Sequence, residues 1–502
     1  MEFLVQLRRS AGLHVSALRS NDFALRIAKG AFWSLIGTMG PRALGLLASV
    51  VTARLLGRDT FGGLGIVHST VEMFGVFAGL GLGVTATKYI AEHHRTDPLR
   101  ASRVMTFTGF ISVVTGLVGT LLLVAFADVI ATHALDAPQL GPLLRLASPI
   151  ILLNTLNGAQ IGAMAGLEAF KRTAQVSVVC GVFTPLLMIV GVRWYGMEGA
   201  VVASIVSLAL SWLLNHLALR EEAATAGMSF IYDGAFAEAR LLLAFTLPVF
   251  LSSMVLAPVQ WMCNAILVNQ PNGLSEMGVF AAVSQWRAVI MLVPSLLMRA
   301  ALPIISSATK GDSGNAAIKA SVNTTQSLNL LFVFPIATAV LFGGEWITRL
   351  YGKQFVGGGP AMAGLALSFM ILSIGSSGGT LLQARGKVWL GLAINLCYGI
   401  CLVVITALAA PRWGAAAITF GSAASYVFVA LWSFYRLKRD LPQGMLKRVY
   451  LSLLCAVSVA TIYCITPATY AAAIAPIAVL AVTWITWRYL IDPRSVSATS
   501  NG

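Results

Sequence analysis

Charge is what this sequence has least of. Asp, Glu, Lys and Arg make up only 11% of its 502 residues, against 57% apolar ones and a mean hydropathy of +0.82. A water-soluble surface needs about a quarter of its residues charged, so a soluble globular domain, a disordered chain and a coiled coil are all excluded. A polytopic membrane protein remains. Cysteine is also scarce. Cys180, Cys263, Cys397, Cys401, Cys455 and Cys464 lie in or beside apolar segments, form no Cys/His spacing of a metal site, and read as small buried hydrophobes. No apolar core precedes Ala31 and no small-residue cleavage site follows one, so a cleaved signal peptide is not expected. A GxxxxGK[ST] phosphate loop is absent as well; neither ATP nor any metal or other cofactor is expected.

What is present is length of apolar chain. Runs of about 20 residues, enough to cross hydrocarbon, begin at 31, 64, 104, 146, 174, 197, 241, 278, 322, 361, 388, 414, 448 and 469. Glycine (47) and proline (18) suit packed membrane helices. If the N-terminus is cytoplasmic, most basic residues fall on the cytoplasmic side: Lys88, Arg95, Arg100 and Arg103, then Lys171 and Arg172, then Arg385 and Lys387, then Arg436, Lys438, Arg439, Lys447 and Arg448. That bias orients the chain with both termini inside. The pI near 9.9 then reflects topology and anionic headgroups. Nucleic acid is not an expected partner, because the basic residues are scattered and form no groove-sized patch.

The chain also repeats itself. FGGLGIVHSTVEMF from Phe61 resembles MGVFAAVSQWRAVI from Met277, 216 residues on, and GLEAFKRTAQVSVV from Gly166 resembles LLQARGKVWLGLAI from Leu381, 215 residues on. Six spans per copy is an even number, so both copies enter from the same side, as in a parallel duplication. The fold class expected is all-α: about 14 transmembrane helices in two six-helix lobes plus two extra C-terminal helices. The divisions are a cytoplasmic, interfacial N-terminal segment (1–30), an N-lobe (31–219), a cytoplasmic linker (220–240), a C-lobe (241–435), the last two spans (436–490) and a cytoplasmic tail (491–502). The basic residues of 1–30 suit a segment lying on anionic lipid.

Charge inside the spans is costly and marks a wet interior or a path. Three such residues stand out: Arg42, Glu72 and Arg287. Arg42 follows Gly40-Pro41 and either pairs with Glu72 or reaches a substrate anion. Arg287 has Gln285 and Trp286 beside it, and its guanidinium fork suits bidentate phosphate binding. The repeat offset sets Arg287 opposite Val71, next to Glu72, so both charges are expected to face one central space. His68 stands one turn before Glu72, either to relay ions or protons or as a satisfied polar pair. The small-residue run Gly75, Gly79 and Gly83 reads as close helix packing. Asn154, Asn157 and Gln160 share a face of the fourth span, and Gln260 and Asn264 a face of the seventh. Asn323, Thr324, Thr325, Gln326 and Asn329 make a polar entrance to the ninth. Such groups serve as interhelical hydrogen bonders or as a lining for a hydroxyl-rich ligand.

ARLLGRDTFGGLGI (Ala53 to Ile66), GLGVTATKYIAEH (Gly81 to His93) and the basic turn Gly166–Thr173 resemble bacterial polysaccharide flippases of the multidrug/oligosaccharidyl-lipid/polysaccharide exporter superfamily. The likeness spans about residues 28–435. It implies two six-helix lobes around a central cavity, in a bacterial inner membrane. The task it implies is carrying a polyprenyl-diphosphate-linked oligosaccharide to the periplasmic leaflet by alternating access, for exopolysaccharide or lipopolysaccharide synthesis. In related lipid II flippases, cavity arginines contact pyrophosphate, which would assign that role to Arg42 and Arg287. This chain departs from them in carrying Glu72, and no arginine, within its second span. The residues assigned to substrate are Arg42, Arg287, Gln285, Trp286, Asn154, Asn157, Gln260 and Asn264; Glu72 and His68 are candidates for ion or proton coupling. A monomer is expected, with other polysaccharide-assembly membrane proteins as candidate partners. The alternative is a cation-coupled drug or metabolite exporter of the same fold. A membrane-embedded glycan polymerase or acyltransferase is less favoured: Asp59, Asp128, Asp136, Glu198, Glu276 and Glu345 are spread over separate outer loops and no catalytic group is read.

Overall fold

The computed structural model describes residues 22–231, 233–234, 250, 254–292, 294, 314–384, 388–437, 445–466, 468–486 and 488. Expectations for the first 21 residues, the later part of the linker, parts of the seventh and eighth spans, the C-terminal tail and the side chains of Asn323, Thr324 and Thr325 lie outside the described residues. Among those described, every regular element is a helix. Hydrocarbon demands this, because each N–H and C=O must be bonded within its own segment.

The first half of the chain forms α1 (Asp22–Leu56), α2 (Arg58–Gly79), α3 (Leu82–His93), α4 (Pro98–Val129), α5 (Gly141–Ala147), α6 (Pro149–Gly166) and α7 (Phe170–Thr225). The second half forms α8 (Leu256–Val268), α9 (Gly273–Ser284), α10 (Arg287–Ile290), α11 (Gly314–Phe342), α12 (Gly344–Leu350), α13 (Gly359–Ala384), α14 (Val388–Trp413) and α15 (Ala415–Leu437). The last two, α16 (Met445–Ile465) and α17 (Ala468–Ile485), pack on α13 and α11. Among the described residues, seven helices are long and apolar enough to cross a membrane, eight if the α11–α12 pair, bent by 69°, is one span.

Four expected spans look different in space. The fifth and sixth run together in α7 as two helices folded back on each other at Gly196 (φ 56°, ψ −130°), a backbone state that side-chain-bearing residues rarely adopt. The second is two helices, because Leu80 and Gly81 take left-handed conformations between α2 and α3. The eighth breaks at Gln285–Trp286, between α9 and α10. The run Gly75, Gly79 and Gly83 is only partly a packing stripe. A Cβ on Gly83 would strike the Gly158 carbonyl of α6, but Cβ atoms on Gly75 and Gly79 would meet open space, since the helix break turns Gly83 onto a different neighbour.

Exposed aromatic side chains gather at both ends, as they do at membrane–water interfaces. Trp194, Tyr195, Trp346 and Trp413 ring one end; Trp389, Tyr435 and Tyr450 ring the other. Lys88, Arg95, Arg100, Arg172, Arg220 and Arg436 also mark the second end, called here the basic end.

The two lobes meet where α2 crosses α9. A Cβ on Gly62 would strike the Leu274 carbonyl and the Gly278 amide; one on Gly278 would strike the Arg58 carbonyl. The contact is reciprocal. Adding 216 to Arg58 and Gly62 gives Leu274 and Gly278, so each element of the repeat touches the counterpart of the residue that touches it. Gly65 faces Ala281, its own counterpart, as expected on a two-fold axis. Without a hydrophobic drive between helices in lipid, such backbone approach supplies the packing energy.

Candidate functional site

Below that crossing, toward the basic end, lies a chamber of about 340 Å³ walled by α1, α2, α7, α8, α9 and α10. It holds Glu72 and His68 from α2, Gln260 and Asn264 from α8, and Gln285 and Arg287 from the α9–α10 break. The break is what lets Gln285 and Arg287 project inward together. Arg287 is the cation whose field acts on Glu72, although no ion pair closes between them among the described residues.

The chamber has a polar seam between the lobes. Gln260 Nε2 donates to Asn264 Oδ1 at 3.1 Å, Asn264 Nδ2 donates to Ser69 Oγ at 2.7 Å, and Trp261 Nε1 donates to Thr70 Oγ1 at 3.0 Å. Ser49, Thr52, Ser69, Thr184 and Ser284 complete the hydroxyl lining. These residues carry no mark of their own in the sequence, because a hydroxyl in a membrane helix looks the same whether it faces a cavity or its own backbone.

His68, Glu72, Thr184 and Met188 are shared with a second chamber of about 380 Å³ inside the N-lobe, which Asn154, Ser204, Ser207 and Ser211 also line. His68 and Glu72 thus form a septum between two polar spaces. No hydrogen bond joins them, and His68 Nε2 is buried without a hydrogen-bond partner.

Arg42 is elsewhere. It is exposed on α1, on the face of Ser49 but two turns nearer the basic end, and makes no ion pair with Glu72 among the described residues. Counted from Ala31 it stands mid-span, but α1 starts at Asp22 and only its later part, Gly45 to Thr52, walls the chamber. The chamber therefore carries one cation, Arg287, and one carboxylate, Glu72; Arg42, assigned with Arg287 to a central cavity, does not line it. Asn157 is also displaced. It is buried between α6 and α7, its Nδ2 donating to the Leu153 and Leu208 carbonyls and its Oδ1 accepting from Ser211 and Asn215. Trp286 turns from the chamber toward the Tyr351 hydroxyl, its indole N–H buried without a well-formed hydrogen bond.

At the end opposite the basic end, a latch closes over the crossing. Arg58 NH2 pairs with Glu276 Oε1 at 2.5 Å, its Nε donates to the Ser275 carbonyl at 3.0 Å, and its NH1 donates to the Gln354 carbonyl at 3.3 Å. Glu276 Oε2 accepts the Ala415 amide at 2.8 Å, satisfying a free N–H at the start of α15. Arg54 Nε donates to the Leu350 carbonyl at 2.7 Å. Both arginines stand in ARLLGRD, where they read as a family signature; their chemistry exists only once the lobes are apposed.

Residues 27–309 match the family described as "Polysaccharide biosynthesis protein". The chain is 23% identical over 405 residues to the EPS I polysaccharide export inner membrane protein EpsE of Ralstonia nicotianae, covering 78% of this chain and 89% of that protein. Among solved structures it is similar to the lipid II flippase MurJ in an inward closed conformation (TM-score 0.67, 14% identity, 90% of this chain and 97% of that one). It is also similar to an inward-facing multidrug resistance MATE family transporter of the MOP superfamily (TM-score 0.65, 16% identity, 81% and 98%). At these identities the structural likeness is one of fold.

Proposed function

The chain belongs to the polysaccharide biosynthesis protein family, and from that premise we propose that it carries a polyprenyl-diphosphate-linked oligosaccharide from the cytoplasmic to the periplasmic leaflet of a bacterial inner membrane. The observation that carries the reading is Arg287 with Gln285, held at a helix break inside a hydroxyl- and amide-lined chamber between two lobes. A diphosphate and a glycan cannot enter hydrocarbon unsolvated. The guanidinium fork replaces water around phosphate, and the seam of amides and hydroxyls replaces it around sugar, while the prenyl tail stays in lipid.

In this reading the basic end and both termini face the cytoplasm. Arg42 meets the anion first and Arg287 receives it within. The latch at Arg58–Glu276 opens to release it, and no covalent step is needed. Glu72 and His68, between two polar chambers, are the candidates for coupling to a proton or sodium gradient. Asn154 lies on the far side of that septum and serves the ion path better than the glycan. The protein acts as a monomer, with other polysaccharide-assembly proteins as candidate partners.

The test is translocation of a labelled prenyl-diphosphate glycan in proteoliposomes. Arg287→Ala is expected to abolish it at near-normal abundance; unchanged transport would remove Arg287 from the substrate path. One observation favours a second reading, a cation-coupled exporter of small molecules: the chamber balances Arg287 with Glu72 and is not net cationic. Glu72→Gln separates the two. In a flippase it should remove the dependence on an imposed gradient while glycan binding persists; in an exporter of organic cations it should remove cation binding itself.

A further inference from the structure

The N-lobe has a larger groove that the transport reading does not use. It measures about 670 Å³ and lies between α4, α6 and α7, at the depth of the basic-end leaflet. Its α6 wall, Leu156 to Ala163, is the side of that helix opposite Ile150 and Asn154, which face the inner chamber. It opens among exposed apolar side chains, Phe110 and Val113 of α4 and Leu213 and Leu217 of α7, and so opens to lipid.

The groove is polar at one end only. The His216 ring is stacked between Trp212 (centroids 5.9 Å) and Phe230 (5.8 Å), and the Gln160 amide, with its O and N exchanged, donates to the Trp212 carbonyl and accepts from the indole N–H. Arg220 stands at the mouth, exposed and in no ion pair among the described residues, whereas its neighbours Glu221 and Glu222 are taken by Arg172. Ser229 and Phe230, which close that end, belong to the linker between the lobes. The linker is pinned there: the Ser229 amide donates to Ser102 Oγ at 3.2 Å and the Ile231 amide to Thr106 Oγ1 at 2.9 Å.

We propose that this groove binds one anionic phospholipid of the basic-end leaflet, its phosphate at Arg220 and the His216 stack and an acyl chain along Phe110 and Val113. The charge at the mouth selects an anion, and the apolar floor selects a chain. A substrate whose head group sits at Arg287 cannot lay its tail here, because α6 stands between the two spaces. Since the lipid touches the linker where the linker is fastened to α4, its occupancy sets how firmly the two lobes are tied.

The test is native mass spectrometry of the full chain released from vesicles holding equal phosphatidylglycerol and phosphatidylcholine. Binding is read without transport, so this inference and the flippase reading fail separately. Wild type should retain one phosphatidylglycerol, several-fold over phosphatidylcholine. Arg220→Gln, at an exposed position, should bring that ratio toward one. Gly109→Leu should remove the lipid, because a Cβ there meets nothing within 4 Å and fills the groove without collision. Equal retention of both lipids by wild type, or retention unchanged in both variants, would overturn the proposal. So would displacement of the lipid by added polyprenyl phosphate, which would give the groove to the substrate tail.

Discussion

The chamber's single cation has to do its work through geometry as well as charge. Arg287→Lys keeps the charge but loses the planar fork, so transport should fall by roughly tenfold or more, the loss of about 1.4 kcal/mol or more of phosphate binding. Arg42→Ala should behave differently. If Arg42 only captures the anion at the entrance, half-saturation should rise several-fold while the maximal rate is kept, and titrating the labelled glycan in proteoliposomes separates the two. The gathering of Glu72, Gln285 and Arg287 was legible in the sequence because hydrocarbon is so poor a solvent for charge that such groups have few other places to be. The depth of Arg42 was not, since an apolar run fixes neither where a helix starts nor which turns of it wall a cavity. Asn157 was ambiguous for a related reason: an amide bonded across two helices and an amide awaiting a ligand have the same sequence.

At the level of helices, the crossing of α2 and α9 is the joint on which the lobes bear. A methyl group at Gly62 or Gly278 would meet backbone atoms, which cannot swing aside as a side chain does. Gly62→Ala and Gly278→Ala are each expected to cost about 1–3 kcal/mol, the usual range for overpacking. Because both residues occupy one contact, the double variant should cost less than the sum of the two, and unfolding in mild detergent measures the shortfall. The crossing was half visible beforehand: the 216-residue offset pairs these glycines as counterparts, but nothing in the offset says that the counterparts touch. The helix breaks were less visible, because LGLG and SQWR each sit within an apolar run that reads as continuous helix.

For the whole molecule, the question is what holds one face shut. The partly buried Arg58–Glu276 pair and the α15 amide it satisfies belong to three helices from two lobes. Glu276→Gln removes a charge-assisted bond worth about 1.5–3 kcal/mol. The closed population should fall by tenfold or more, read as a wider distance distribution between spin labels on the α1–α2 turn and on α13. An unchanged distribution would mean that the glycine crossing alone shuts that face. The all-helical membrane fold was legible in the sequence from hydropathy and the alternation of basic loops; the latch was not, because its partners lie more than two hundred residues apart and look like ordinary loop charges. The fold-back of α7 bears on how the protein is made. Gly191 and Gly199 touch backbone to backbone across the bend at Gly196, a closure between positions so near in the chain that little entropy opposes it. This hairpin can form as soon as the ribosome has delivered it, and enter the bilayer as a pair before any of the second half has been synthesised.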